Sequence, residues 1–178
     1  DEVSRVIDRC LDYANKINEQ KTTIAQSAQQ QLVSFSEGYP HFVQQFGSSA
    51  FAQDQDGIIN DADVRGGAFG ERGALELIGD RYYRNDFYTK IQSDSARQVL
   101  RIMAEDLDSW VTRQKITERF KGKSTVLNNA LKALRDRHII LSKEGTRGVY
   151  RLQHNGFALW IKLNTEAAIE IGAHVAES

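Results

Sequence analysis

The sequence predicts a mainly α-helical protein built as two consecutive units, the second closed by a small β-hairpin. Three observations carry that expectation. Apolar residues recur every three or four positions over most of the chain. The clearest strand text, HIILSK and VYRLQH around the turn EGTRG, comes late and is short. Charge also changes sign midway. Residues 1–95 carry 9 Lys and Arg against 15 Asp and Glu, a balance of −6, whereas residues 96–178 carry 14 against 9, a balance of +5.

Each element follows from local text. Val3, Ile7, Cys10, Leu11, Ala14 and Ile17 form one stripe of a helix over 1–18. Cys10 lies in that stripe and reads as a small core residue. Thr22 or Thr23 is positioned to cap a second helix that turns Ile24, Ala28, Leu32 and Phe35 inward. Gly38 fits the place just past a helix end, and Pro40 the first turn of a third helix. That helix buries Phe42, Val43, Phe46, Ala50 and Phe51. Residues 53–73 hold five of the 13 glycines and read as a loop with short helical pieces. A fourth helix over 74–91 turns Leu75, Leu77, Ile78, Tyr82, Tyr83, Phe87 and Ile91 inward, completing a helical unit over 1–92.

The pattern restarts around 92–95, and the second unit covers 93–164. A helix over 95–105 carries Val99, Leu100, Ile102 and Met103. Thr112 opens a short helix with Ile116 and Phe120 inward, and KGK turns the chain. Ser124 opens a helix carrying Val126, Leu127, Ala130, Leu131 and Leu134. The hairpin follows, with His138 starting its first strand and His154 ending its second. FALWIKL closes the unit as a helix. Three helices and then a hairpin is the winged-helix order, a helix-turn-helix backed by paired strands. Trp110 and the Phe157–Trp160 segment read as core. The polar tail, 165–178, is expected to fray.

Composition and motifs exclude several classes. The chain is 40% hydrophobic and 26% charged, ordinary for a globular protein, and no apolar run approaches the roughly 20 residues of a membrane helix. The acidic start DEVSRVIDRC is no secretory signal. It lacks an initiator Met, which points to a piece of a longer chain. A single cysteine rules out an internal disulfide and fits a reducing, cytoplasmic setting. There is no GxxxxGK[ST] phosphate loop, no HExxH, no GxSxG and no Cys/His cluster at metal-ligand spacing. His41, His138, His154 and His174 are scattered. Glu105, Asp106 and Asp108 read as a solvated cluster rather than an acid/base pair. No enzyme activity, no catalytic residue and no metal are expected of the chain itself.

SEGYPHFVQQFG, residues 36–47, resembles the lid-domain segment of AAA+ ATPases of the STAND and replication-initiator type. The later run WV…ALKALRDRHII…YRL…FALWI is similar to the C-termini of bacterial AAA-type ATP-binding proteins. The resemblance covers most of the chain, with the helical unit like a lid domain and the second unit like its winged-helix companion. It implies that an ATPase domain preceding residue 1 binds ATP or ADP, that Tyr39 and Pro40 border the adenine or ribose, and that His41 contacts phosphate. A helix N-terminus favours phosphate. The relatives' GDAR-like corner has Arg where His41 stands, and imidazole lacks that permanent charge. The isolated chain is expected to bind ATP weakly or not at all and to hydrolyse none.

If the winged helix binds double-stranded DNA, its third helix enters the major groove and the hairpin meets the backbone. That helix exposes Ser124, Thr125, Asn128, Asn129, Lys132 and Arg135. Lys121 and Lys123 precede it, and Lys143 and Arg147 lie in the hairpin. Asn pairs with adenine, and Lys and Arg neutralise phosphate. Asp136 and Glu144 interrupt this basic patch, and winged helices also dock on proteins or on their own ATPase core. Both partners stay open. The competing reading is a DNA-binding transcription regulator whose helical unit senses a ligand or dimerises.

Overall fold

The computed structural model describes residues 2–107 and 109–165. Asp108, His174 and the tail from residue 166 lie outside the described residues, as do the expectations placed on them. The protein is mainly α and divides into two compact units, Asp1–Arg81 and Tyr82–Ser178.

The first unit contains α1 (Glu2–Ile17), β1 (Thr23–Ile24), α2 (Gln26–Ser36), α3 (Pro40–Gln53), β2 (Ile58–Ile59), α4 (Asp61–Phe69) and α5 (Ala74–Ile78). Its core is Leu32 of α2, Phe42, Val43 and Phe46 of α3, Val64 of α4, and Leu75 and Ile78 of α5. β1 and β2 pair in parallel, Thr23 opposite Ile58 and Ile24 opposite Ile59. This short ladder takes Thr22 and Thr23 away from the expected cap. The N-cap of α2 is Ala25, which has no capping side chain. Thr22 is buried instead, and its hydroxyl donates to Asp54 at 3.4 Å.

α1 departs from its expected stripe. Ile7 is its one buried residue, Ile17 is 68% exposed, and Cys10 is exposed rather than core. Residues 53–73 hold more helix than expected. Asn60 and Asp63 form a reciprocal capping box: Asn60 Oδ1 accepts from the Ala62 and Asp63 amides, and Asp63 Oδ2 accepts from the Asn60 amide. That box starts α4, and Gly67 inside it serves packing, because a Cβ there would lie 2.5 Å from the α3 backbone at Ser49 and Ala50.

The expected helix over 74–91 becomes α5 followed by two π-helical turns, Gly79–Tyr83 and Asp86–Lys90. Leu77, expected inward, faces solvent from α5, while Tyr83, Phe87 and Ile91 are buried. Phe87 and Tyr83 pack on Phe157 and Trp160 with ring centroids 5.2–6.5 Å apart. Those contacts draw residues 82–92 into the second unit, and the division falls at Arg81/Tyr82 where the sequence placed it after residue 92.

The second unit continues with α6 (Asp94–Ala104), β3 (Val111–Thr112), α7 (Arg113–Arg119), α8 (Ser124–Asp136), β4 (Ile140–Ser142), β5 (Val149–Leu152) and α9 (Asn155–Thr165). The three strands are antiparallel in the order β3-β5-β4. With α6, α7 and α8 this is the winged-helix arrangement, completed by a strand, β3, that the sequence did not reveal. Ser93 and Thr112 cap α6 and α7 through their hydroxyls. Val99, Leu100, Met103, Ile116, Leu127, Leu134 and Trp160 fill the core.

Four expectations change here. Val126 is 39% exposed, one position off the buried stripe of α8. Phe120, expected inward, is only half-buried. His138 has φ 56 and ends α8 in a left-handed turn, two residues before β4, so it starts no strand. His154 lies two residues past β5 and ends no strand. Glu105 and Asp106 lie at the solvated end of α6, where Glu105 pairs with Arg119 and Asp106 with Lys115 at 2.7 Å, tying that end to α7.

Candidate functional site

α8 presents the first candidate site because of its spacing. Ser124, Asn128, Lys132 and Arg135 stand four, four and three residues apart, which places them on one helical stripe. Leu127, Leu131 and Leu134 point the other way into the core. The polar stripe is therefore held by a buried apolar one, on an element rather than a loop.

Opposite that stripe lies the hairpin. Its turn is closed by the Lys143 amide donating to the Val149 carbonyl at 2.9 Å, and it bends through Gly145 and Gly148, both with positive φ. Between α8 and the hairpin runs a groove of about 740 Å³. Arg113, Asn128, Asn129, Lys132, Arg135 and Arg147 line it, with Ser142, Thr146, Gly148 and Tyr150. Among the described residues, four cations and no carboxylate line this space.

The structure thus brings Asn128, Asn129, Lys132, Arg135 and Arg147 together. Ser124 joins through Arg113, whose Nη2 donates to Ser124 Oγ at 3.3 Å and to Asn128 Oδ1 at 2.9 Å. Lys121, Lys123 and Thr125 are exposed at the start of α8 but lie off the groove. Lys143 also stands apart, with its ammonium 5.9 Å from the Trp110 ring. Asp136 and Glu144 are exposed and outside the groove lining, so they do not interrupt it.

Sequence reading missed two residues. Arg113 follows the helix cap Thr112 and carries no signal of its own. It enters the groove because β3 pairs with β5, and its amide donates to the Gly148 carbonyl at 2.7 Å. Trp110 is not core. It is 37% exposed, with the Arg151 guanidinium 5.1 Å from its ring centre. An aromatic ring beside two cations at a hairpin was a legible signal, hidden by reading Trp110 as part of an apolar run.

The second candidate site is the corner between α2 and α3. Glu37 and Gly38 both take left-handed backbone, φ 50 and φ 80, and the Tyr39 amide donates to the Ser36 carbonyl at 2.9 Å. A Cβ at Gly38 would meet nothing within 4 Å, so glycine serves its φ there rather than a close approach. Tyr39, Pro40 and His41 are all exposed. The rings of Tyr39 and His41 lie 6.1 Å apart, and both rest on Phe42. Backbone donors at this helix start are few: Pro40 has no N–H, and the Phe42 amide donates to the Tyr39 carbonyl at 3.0 Å. Anion recognition here would rest on side chains.

Among the described residues no group of three or more His, Cys, Asp and Glu could hold a metal, and no helix is long and apolar enough to cross a membrane. Compared with known proteins, the chain matches no family model, no curated protein and no solved structure.

Proposed function

We propose that the chain is a regulatory part of an AAA+/STAND-type ATPase whose winged-helix unit docks on duplex DNA. One observation carries the DNA assignment: the groove between α8 and the hairpin gathers Arg113, Lys132, Arg135 and Arg147 with no acidic residue among the described residues of its lining. Phosphate neutralisation supplies most non-specific affinity for DNA, and each contact weakens as salt rises. The exposed N-terminal turn of α8, with Lys121 and Lys123 before it, adds positive potential at the same end. Fluorescence anisotropy of a random duplex at low salt tests this. Saturable binding supports it, and absence of binding leaves the winged helix as a protein-docking module.

The nucleotide part of the proposal rests on the exposed corner. Tyr39 offers a ring for the base or ribose, Pro40 sets the angle of α3, and His41 offers a hydrogen bond to phosphate. ATP or ADP would be held chiefly by an ATPase domain joined to this chain, with the helical unit closing over it in the cytoplasm. In such a full-length protein, His41→Ala should slow ATP turnover without unfolding the helical unit. Unchanged turnover removes His41 from that role.

A second reading has its own support. The first unit carries an apolar groove of about 430 Å³ lined by Ile7, Leu11, Leu32, Val43, Phe51 and Ile59, a volume suited to a small ligand. That fits a transcription regulator with a ligand-sensing helical domain. The gene separates the two readings. A phosphate-loop lysine encoded upstream of Asp1 supports the ATPase, and its absence supports the regulator.

A further inference from the structure

We propose that Arg113 sets a base preference in the groove, by holding Asn128 so that it offers its amide NH2 to guanine and disfavours adenine. The inference rests on the duplex-binding reading above. It begins with a forced orientation. A guanidinium has donors and no acceptor, so the Asn128 atom 2.9 Å from Arg113 Nη2 is the amide oxygen and not the nitrogen. Arg113 is itself held. Its backbone N–H donates to the Gly148 carbonyl at 2.7 Å, and the same Nη2 reaches Ser124 Oγ at 3.3 Å.

The consequence is chemical. Asparagine recognises adenine with both ends of its amide, the oxygen accepting from N6 and the nitrogen donating to N7. In Asn128 the oxygen is turned to Arg113, which takes one of its two lone pairs, and Nδ2 has no partner among the described residues. The NH2 is the wholly unengaged end of the amide and the one offered first to a ligand. Guanine shows two neighbouring acceptors in the major groove, N7 and O6, whereas adenine sets its own N6 donor beside N7. An amide presented NH2-first meets guanine with two complementary atoms and adenine with one match and one clash. Arg113 thus acts as a positioning residue, and Asn128 reads the base.

The test is selection of bound sequences from a random duplex pool by the whole chain, as wild type and as Asn128→Ala, Asn128→Asp and Arg113→Met variants, each checked for a native thermal unfolding transition. Wild type should enrich guanine over adenine about tenfold at one position, the discrimination expected of a good base contact. Asn128→Ala and Asn128→Asp should lose guanine at that position alone. Arg113→Met frees the amide to turn and should let adenine rise at the same position. Adenine at the Asn128-dependent position in wild type, or guanine retained in Arg113→Met, overturns the inference. If Arg113→Met does not fold, Asn128→Asp decides alone, because its carboxylate stays paired with Arg113 yet has no donor, and guanine retained there is equally contrary. Duplex bound with no Asn128-dependent position overturns this inference and leaves the duplex reading standing. Recovery of no duplex overturns both.

Discussion

Gly67 of α4 lies so close to Ala50 of α3 that a Cβ at position 67 would stand 2.5 Å from the Ala50 backbone nitrogen. That atom is main chain and cannot swing aside. Gly67→Ala must push the two helices apart and should destabilise the first unit by about 1–3 kcal/mol, the usual cost of overpacking. Urea unfolding of both proteins measures this. An unchanged midpoint would mean that the α3–α4 approach is looser than described.

Phe87 is fully buried among Phe157, Trp160 and Tyr88, with the Arg101 guanidinium 5.2 Å from its ring centre. Phe87→Ala should cost the second unit about 3–5 kcal/mol. The same packing means that a fragment beginning at Tyr82 should melt higher than one beginning at Asp94. Equal melting temperatures would return residues 82–92 to the first unit.

Asp94 opens α6, and its carboxylate lies 2.5 Å from the Arg97 guanidinium. That hydrogen bond and charge hold the Asp94 carboxyl below its ordinary value. A lowered folded pKa makes the contribution to stability fully present above the unfolded Asp value, about 3.9, and lost as pH falls through the lower folded value. The gap in unfolding midpoint between wild type and Asp94→Asn should therefore be constant from neutral pH down to about 5 and close below about 4. A gap that widens in acid would contradict the pairing.

The second unit was largely legible because its signals are local. Thr112 and Ser93 are caps, Leu127, Leu131 and Leu134 recur at helical spacing, and the glycines at 145 and 148 mark the hairpin turn. What escaped reading is set by distant contacts. β3 is two residues long and exists through pairing with Val149 and Tyr150, nearly forty residues on. Arg113 joins the groove through that same pairing. Cys10 and Ile17 obey the helical period of α1, yet periodicity shows which face is apolar, not whether anything covers it. The candidate residues on α8 were readable as a stripe. The separation of Lys143 from them was not, because it depends on where Trp110 sits.

The most direct measurement is duplex affinity against salt for wild type and for Lys132→Glu with Arg135→Glu, two exposed substitutions that leave the α8 core untouched. With four groove cations engaged, log affinity should fall against log salt with a slope of about −3 to −4 in wild type. The double variant should lose binding while keeping the wild-type unfolding transition. Absence of wild-type binding at about 100 μM duplex in low salt, the weak end of non-specific affinity, or equal affinity in the two proteins, would contradict a DNA-binding groove.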